Sequence, residues 1–288
     1  MSTCRLRCIA LGAILIVSRM VSAAEVEPAN QRIVSLTPHL TELAFVAGAG
    51  DRIIATVEYS DYPEEAKRIP RVGDAFRVDY ERLIALSPQI VLMWGTGTSE
   101  STISRIRELG LRVELFSTQR IADVARELRR IGDLAGTRVI AEGAAQRFES
   151  DMAALAAQYG SREPIRVFIQ INEQPLYTVN RAQIISEVVE LCGGRNIFAS
   201  LNSLAPAVGE EAVIAADPEV ILSVDETITE PTQRWQRWKH MRAVRAKNIY
   251  RGPSDNLARP TTRLVEGTRA VCDLLDAARQ NRARLSAQ

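Results

Sequence analysis

Short apolar runs alternate with longer amphipathic stretches along most of the chain. The first run predicts a strand over 31–36, and Thr37-Pro38 breaks it. HLTELAFVAGAG then reads as a helix ending at glycine, with threonine suited to its cap and proline to its first position. Strands are predicted at 53–57, 90–93 and 112–116, and helices at 80–86 and 99–109. After Gly160 the alternation resumes, with strands at 165–171, 220–224 and 248–250 and helices at 182–191, 210–215, 233–240 and 262–278. Apolar strands separated by helices are the pattern of α/β packing on a mostly parallel sheet. Between the halves, residues 120–158 are almost unbroken helix formers, though Gly132, Gly136 and Gly143 leave room for a bend or break. The expected fold is two α/β lobes, at 30–119 and 161–288, joined by one long helix over 120–160 that acts as a rigid strut.

One passage occurs twice. Residues 81–92 read ERLIALSPQIVL and residues 211–222 read EAVIAADPEVIL. The spacing is far longer than a solenoid unit and implies two similar lobes instead. Such lobes usually hold a ligand in the cleft between them. Glu81 and Glu211 open the two copies as helix-start carboxylates, a placement the helix dipole favours.

The first residues read as a processing segment. Arg5 and Arg7 make a basic start, residues 9–17 a short apolar core, and Val21-Ser22-Ala23 a small-residue cleavage site. The apolar core is too short to span a bilayer. Cys4 and Cys8 precede it, so neither is placed for lipid attachment, and a soluble exported protein is expected with residues 1–23 removed. Losing Arg5, Arg7 and Arg19 moves the formal charge from +1 to −2. That balance excludes the basic surface a nucleic-acid partner needs. Cys192 and Cys272 remain, as one bridge or as two separate buried thiols. Two cysteines with no nearby histidine make a poor zinc set, and no metal site is expected.

Catalytic constellations are sparse. The chain has no GxSxG elbow, GxGxxG turn or Walker loop, and its two histidines are His39 and His240. An enzyme is not expected. His39 lies in a first helical turn, where surface placement and ligand contact are both open readings. Binding groups are plentiful. Tyr59, Tyr62, Phe76 and Trp94 fall at strand ends or loops of the first lobe, and Tyr177 follows a strand of the second. Rigid rings at the mouths of strands suit a flat, partly apolar ligand. Trp94 meets Gly95-Thr96-Gly97, read as a flexible loop. Asp255 and Arg259, in the loop before the last helix, offer an acceptor and a donor to ligand amides, or pair with each other. Trp235 and Trp238 share a helix face and read as packing residues.

TPHLTELAFVAG at 37–48, YSDYPEEAKRIPRVGD at 59–74, ERLIALSPQIVLMW at 81–94, VVELCGGRNIF at 188–198 and SDNLARP at 254–260 carry a resemblance that covers essentially the whole mature chain. These segments resemble the vitamin B12-binding branch of the helical-backbone metal-receptor class, the class III substrate-binding proteins. The resemblance implies two Rossmann-like lobes bridged by a long helix, a monomer in the periplasm of a Gram-negative-type cell, and no resident cofactor. It implies capture of a corrinoid, cobalamin or a relative, by Tyr59, Phe76, Trp94, Tyr177, Asp255 and Arg259. Haem, siderophores or metal chelates are the alternative cargo of the same class. Glu81 and Glu211 match the carboxylates that dock on the permease dimer of an ABC importer, and Cys192 and Cys272 match a disulfide of the family. Ile171 and Ala205 stand where relatives have aromatic residues, which implies a barer second wall.

Overall fold

A computed structural model describes residues 31–74, 77–225, 227–228 and 230–286. The export segment 1–23 and Phe76 lie outside the described residues. In the first lobe β1 (Ile33–Ser35), α1 (Pro38–Val46), β2 (Ile53–Ala55), α2 (Tyr80–Ala85), β3 (Ile90–Trp94), α3 (Glu100–Glu108) and β4 (Val113–Phe116) alternate. Two helices follow, α4 (Ile121–Ala135) and α5 (Arg138–Tyr159). The second lobe contains β5 (Ile165–Gln170), α6 (Ile184–Leu191), β6 (Gly194–Asn196), α7 (Glu210–Ala216), β7 (Val220–Ser223), α8 (Pro231–Trp235), α9 (Arg242–Arg245), β8 (Ile249–Arg251), α10 (Ser254–Ala258) and α11 (Leu264–Ser286). Both sheets are parallel and have the same strand order, β2-β1-β3-β4 and β6-β5-β7-β8.

Strands buried on both faces explain the apolar runs. Ile33, Ile90 and Leu92 face one core, and Val34, Val91 and Met93 face another. The first of these cores is shared. It runs from Leu40 and Leu43 of α1, through Leu128 and Ile131 of α4 and Phe148 and Met152 of α5, to Ile165, Val167 and Val188 of the second lobe. Cys192 and Cys272 lie in it and are joined by a disulfide, with Cα atoms 4.8 Å apart.

The strut differs from expectation. Residues 120–160 form two helices packed on each other, because Gly136 takes a left-handed φ of 69° and ends α4. The 22 residues of α5 still extend for about 33 Å. The start of α4 is held from the second lobe, where Glu187 Oε2 accepts from the Ile121 amide at 2.8 Å and Arg120 pairs with Glu187 at 3.1 Å. Three short elements, β6, α9 and α10, were not expected, and α8 is shorter than the predicted 233–240 helix. Trp235 is fully buried, and its Nε1 donates to Gln170 Oε1 at 2.9 Å.

The repeated passage is a structural repeat as well. Glu81 and Glu211 are the second residues of α2 and α7, which feed the equivalent strands β3 and β7. Both helices end in a residue with positive φ directly before proline, Ser87 at 44° and Asp217 at 41°. An arginine straps each turn. The Arg32 amide donates to Gln89 Oε1 at 2.8 Å and its guanidinium to the Leu86 carbonyl at 2.6 Å. The Arg166 amide donates to Glu219 Oε2 at 2.9 Å and its guanidinium to the Ala216 carbonyl at 2.6 Å.

A buried ion pair joins the lobes. Glu42 of α1 is 1% exposed by side chain, and Arg263, just before α11, is 15% exposed. Arg263 donates to both carboxylate oxygens of Glu42, at 2.9 and 2.8 Å, and Thr261 Oγ1 adds a third bond at 2.5 Å. Bidentate geometry offsets the desolvation of two buried charges, so losing one partner is costly. Glu42→Gln is expected to destabilise the protein by about 3 kcal/mol in denaturant unfolding. Arg105→Ala, at the exposed Arg105–Glu108 pair, is expected to leave the midpoint almost unchanged.

Candidate functional site

In each lobe the carboxyl ends of the parallel strands carry polar groups that the fold buries without partners. Thr37 Oγ1, Trp94 Nε1 and Thr118 Oγ1 lie at or just beyond the ends of β1, β3 and β4. Gln170 Nε2, Ser223 Oγ and Asp225 Oδ2 lie at or just beyond the ends of β5 and β7. Buried polar atoms are rarely left unpaired, and their gathering at strand ends is where ligands bind open α/β sheets.

Trp94 closes β3 half-buried. Its ring lies so close to Gly97 that a Cβ there would fall 1.9 Å from the indole. The Gly95–Gly97 segment, read from sequence as flexible, is the seat that admits this ring. His39 packs edge-on against Trp94, with centroids 5.4 Å apart and planes at 82°. His39 is therefore not on the surface: it is 5% exposed, and its Nε2 has no protein partner. Burial, reinforced by the charge of Arg259, lowers its pKa to about 4, so the ring is neutral at ordinary pH.

Tyr59 is 73% exposed and has a φ of 65°, a left-handed conformation unusual for a bulky residue and a recognised sign of a functional loop. The loop is braced. Arg71 donates to the carbonyls of Ser60, Ala66 and Ile69, and Thr41, Thr56 and Ser60 share a hydroxyl chain.

From the second lobe, Asp255 lies on the unforeseen helix α10 and Arg259 at its end. They do pair, Arg259 Nε to Asp255 Oδ1 at 3.1 Å. Arg259 Nη1 also crosses to the first lobe, 2.9 Å from Asp61 Oδ1 and 3.4 Å from the Tyr59 carbonyl. Desolvation pushes the Asp61 carboxyl up, but the hydrogen bond and charge of Arg259 outweigh it and hold the group below its ordinary pKa. The other oxygen of Asp255 meets Arg263 Nη1 at 3.1 Å, and the Arg263 guanidinium lies 4.4 Å over the Tyr62 ring.

Tyr59, Trp94, Asp255 and Arg259 thus belong to one interlobe neighbourhood, linked through His39 and Asp61. Tyr177 sits half-buried in a tight hairpin after β5, paired with Asn172 and Ala207, and makes no aromatic or polar side-chain contact with them. Asp61, Glu42 and Arg263 were missed by sequence reasoning; their partners lie 198 to 221 residues away, and no local pattern marks them. Glu81 and Glu211 are both exposed, and neither carboxylate forms an ion pair among the described residues.

The family model described as periplasmic binding protein matches residues 33–256. The chain belongs to this family. The vitamin B12-binding protein of Vibrio parahaemolyticus is 32% identical over 253 residues, 88% of this chain and 92% of the relative. The crystal structure of the periplasmic vitamin B12 binding protein BtuF of Vibrio cholerae aligns with a TM-score of 0.81 at 32% identity, over 87% of this chain and 98% of that one. The periplasmic heme-binding protein RhuT of Roseiflexus sp. RS-1 aligns with a TM-score of 0.74 at 23% identity, over 86% and 99%, and shares the fold. Periplasmic binding proteins of this kind are exported solute carriers rather than enzymes, and they serve ABC importers.

The neutral, buried His39 has a consequence for stability. Unfolded, its imidazole takes up a proton near pH 6.5; folded, only near 4. The unfolded state therefore binds more protons throughout that window, and stability falls as the pH drops through it. The loss expected by the lower end is about 3 kcal/mol. Urea midpoints across this window should show it, and His39→Gln should remove that part of the slope.

Proposed function

We propose that this periplasmic binding protein captures a corrinoid between its lobes and delivers it to the permease dimer of an ABC importer, acting as a monomer. The observation that carries the ligand reading is the pairing of ring and amide chemistry in one place. Tyr59 and Trp94 supply aromatic faces, and the Asp61–Arg259–Asp255 group beside them supplies both donors and acceptors. A large flat ring with a carboxamide periphery asks for both. Relatives at 32% identity over most of the chain bear vitamin B12-binding names, which supports the same reading. Phe76 and Tyr177 complete the proposed ligand set. Haem is the competing cargo, and it would ask for an axial ligand; the buried Nε2 of His39 leaves Tyr59 as the accessible candidate.

Titration of the mature chain with cyanocobalamin, followed by tryptophan quenching or calorimetry, is expected to show saturable binding. Trp94→Ala should weaken it about tenfold, the loss of one well-packed ring. No binding up to high micromolar cyanocobalamin, with a Soret shift on adding haemin, would reverse the choice of cargo.

The docking reading assigns Glu81 and Glu211 to arginines of the permease dimer. The equivalent positions of the two carboxylates, and their lack of an ion-pair partner among the described residues, support it. Exposed charge pairs govern encounter and orientation more than ligand affinity. Glu81→Lys with Glu211→Lys is expected to abolish stimulation of transporter ATPase activity, while corrinoid affinity stays within about twofold of wild type.

A further inference from the structure

We infer that Asp61 is a specificity-determining residue, which makes the interlobe site accept carboxamides and reject carboxylates. The inference rests on the corrinoid reading and gives Asp61, used there only as one acceptor of a group, a role of its own.

Arg259 reaches both lobes through its side chain, as Arg263 does deeper in the site, and it does not act alone. Asp61 holds its Nη1 from one lobe and Asp255 its Nε from the other. No hydrogen bond among the described residues engages its Nη2, and the side chain is 25% exposed. Asp61 and Asp255 are about half exposed, and their carboxylates flank the same guanidinium. Asp255 is fixed in turn by Arg263, whose charge is matched by the buried Glu42. The chain Asp61–Arg259–Asp255–Arg263–Glu42 therefore alternates in sign and begins and ends in an acid. Its surplus is negative, and the exposed end of that surplus is Asp61.

A primary carboxamide carries a carbonyl acceptor and two N–H donors on adjacent atoms. Its oxygen can take Arg259 Nη2 while its nitrogen donates to a neighbouring carboxylate, so it is satisfied without breaking the existing pairs. A carboxylate has acceptors only. It would compete with Asp61 for Arg259, and it would bring a third negative charge to a cation already shared by two. The corrinoid ring has a carboxamide periphery, whereas porphyrin propionates are carboxylates. Asp61 is well placed to enforce the difference, because Arg71 and the Thr41–Thr56–Ser60 hydroxyl chain hold its loop in position.

The test compares cyanocobalamin with its singly hydrolysed monocarboxylic acids, one carboxamide replaced by carboxylate in each isomer. At neutral pH the wild type should bind at least one isomer about tenfold or more weaker than cyanocobalamin. Asp61→Asn should narrow that gap to about threefold or less, mainly by tightening the acid, and Asp61→Glu should preserve it. A gap that survives unchanged in Asp61→Asn, or no discrimination among isomers by the wild type, overturns the role of Asp61 while leaving corrinoid capture intact. No binding of cyanocobalamin itself removes the corrinoid reading and this inference together. One readout needs no variant: the wild-type gap should shrink as salt is raised towards 1 M, and a salt-independent gap argues against a charge filter.

Discussion

The arrangement of the two lobes turns on the carboxylate of Glu42. It is almost wholly removed from water, and groups from the other lobe, Arg263 and Thr261, satisfy it. A buried charge of this kind adds little net stability over a hydrophobic contact, but it punishes every arrangement in which its partners are displaced. Glu42 shares α1 with His39, and Arg263 follows shortly after Asp255 and Arg259. Fixing α1 against the start of α11 therefore fixes the two walls of the cleft against each other. The shared core along α4 and α5 supplies the cohesion, and the ion pair supplies the register.

Much of the architecture was legible because strand burial leaves a one-dimensional trace. Runs such as IVLMW at 90–94 are apolar on both faces, and the turns beside them carry proline or glycine. The doubled Glu–apolar–Pro passage was legible for the same reason. The break in the strut was less so: only the left-handed φ of Gly136 separates a terminating glycine from Gly143, which α5 carries without interruption. β6 was missed because GRN has no apolar run; it is held by its pairing with β5.

The cleft was legible in part. Rings at strand ends pointed to Tyr59 and Trp94, and an acceptor and a donor in the loop before the last helix pointed to Asp255 and Arg259. Their connections were not visible. Asp61 meets Arg259, and Glu42 meets Arg263, through folding alone, and a lone histidine in a helix shows nothing of whether Trp94 will cover it. Long-range electrostatics is a property of the assembled lobes.

The arginine straps at Arg32 and Arg166 have one more consequence. They give the molecule two nearly identical hooks, α2 and α7, seated on equivalent strands. On the docking proposed above, a partner with two-fold symmetry meets the same feature at either end. Both ways round are then the same complex, and what differs behind the hooks makes the two half-contacts unequal: a neutral Gln89 under one strap and a charged Glu219 under the other, and the Arg234, Arg237 and Trp238 cluster gathered around Glu210. Duplication gives both halves the same backbone and leaves the side chains behind it free to differ.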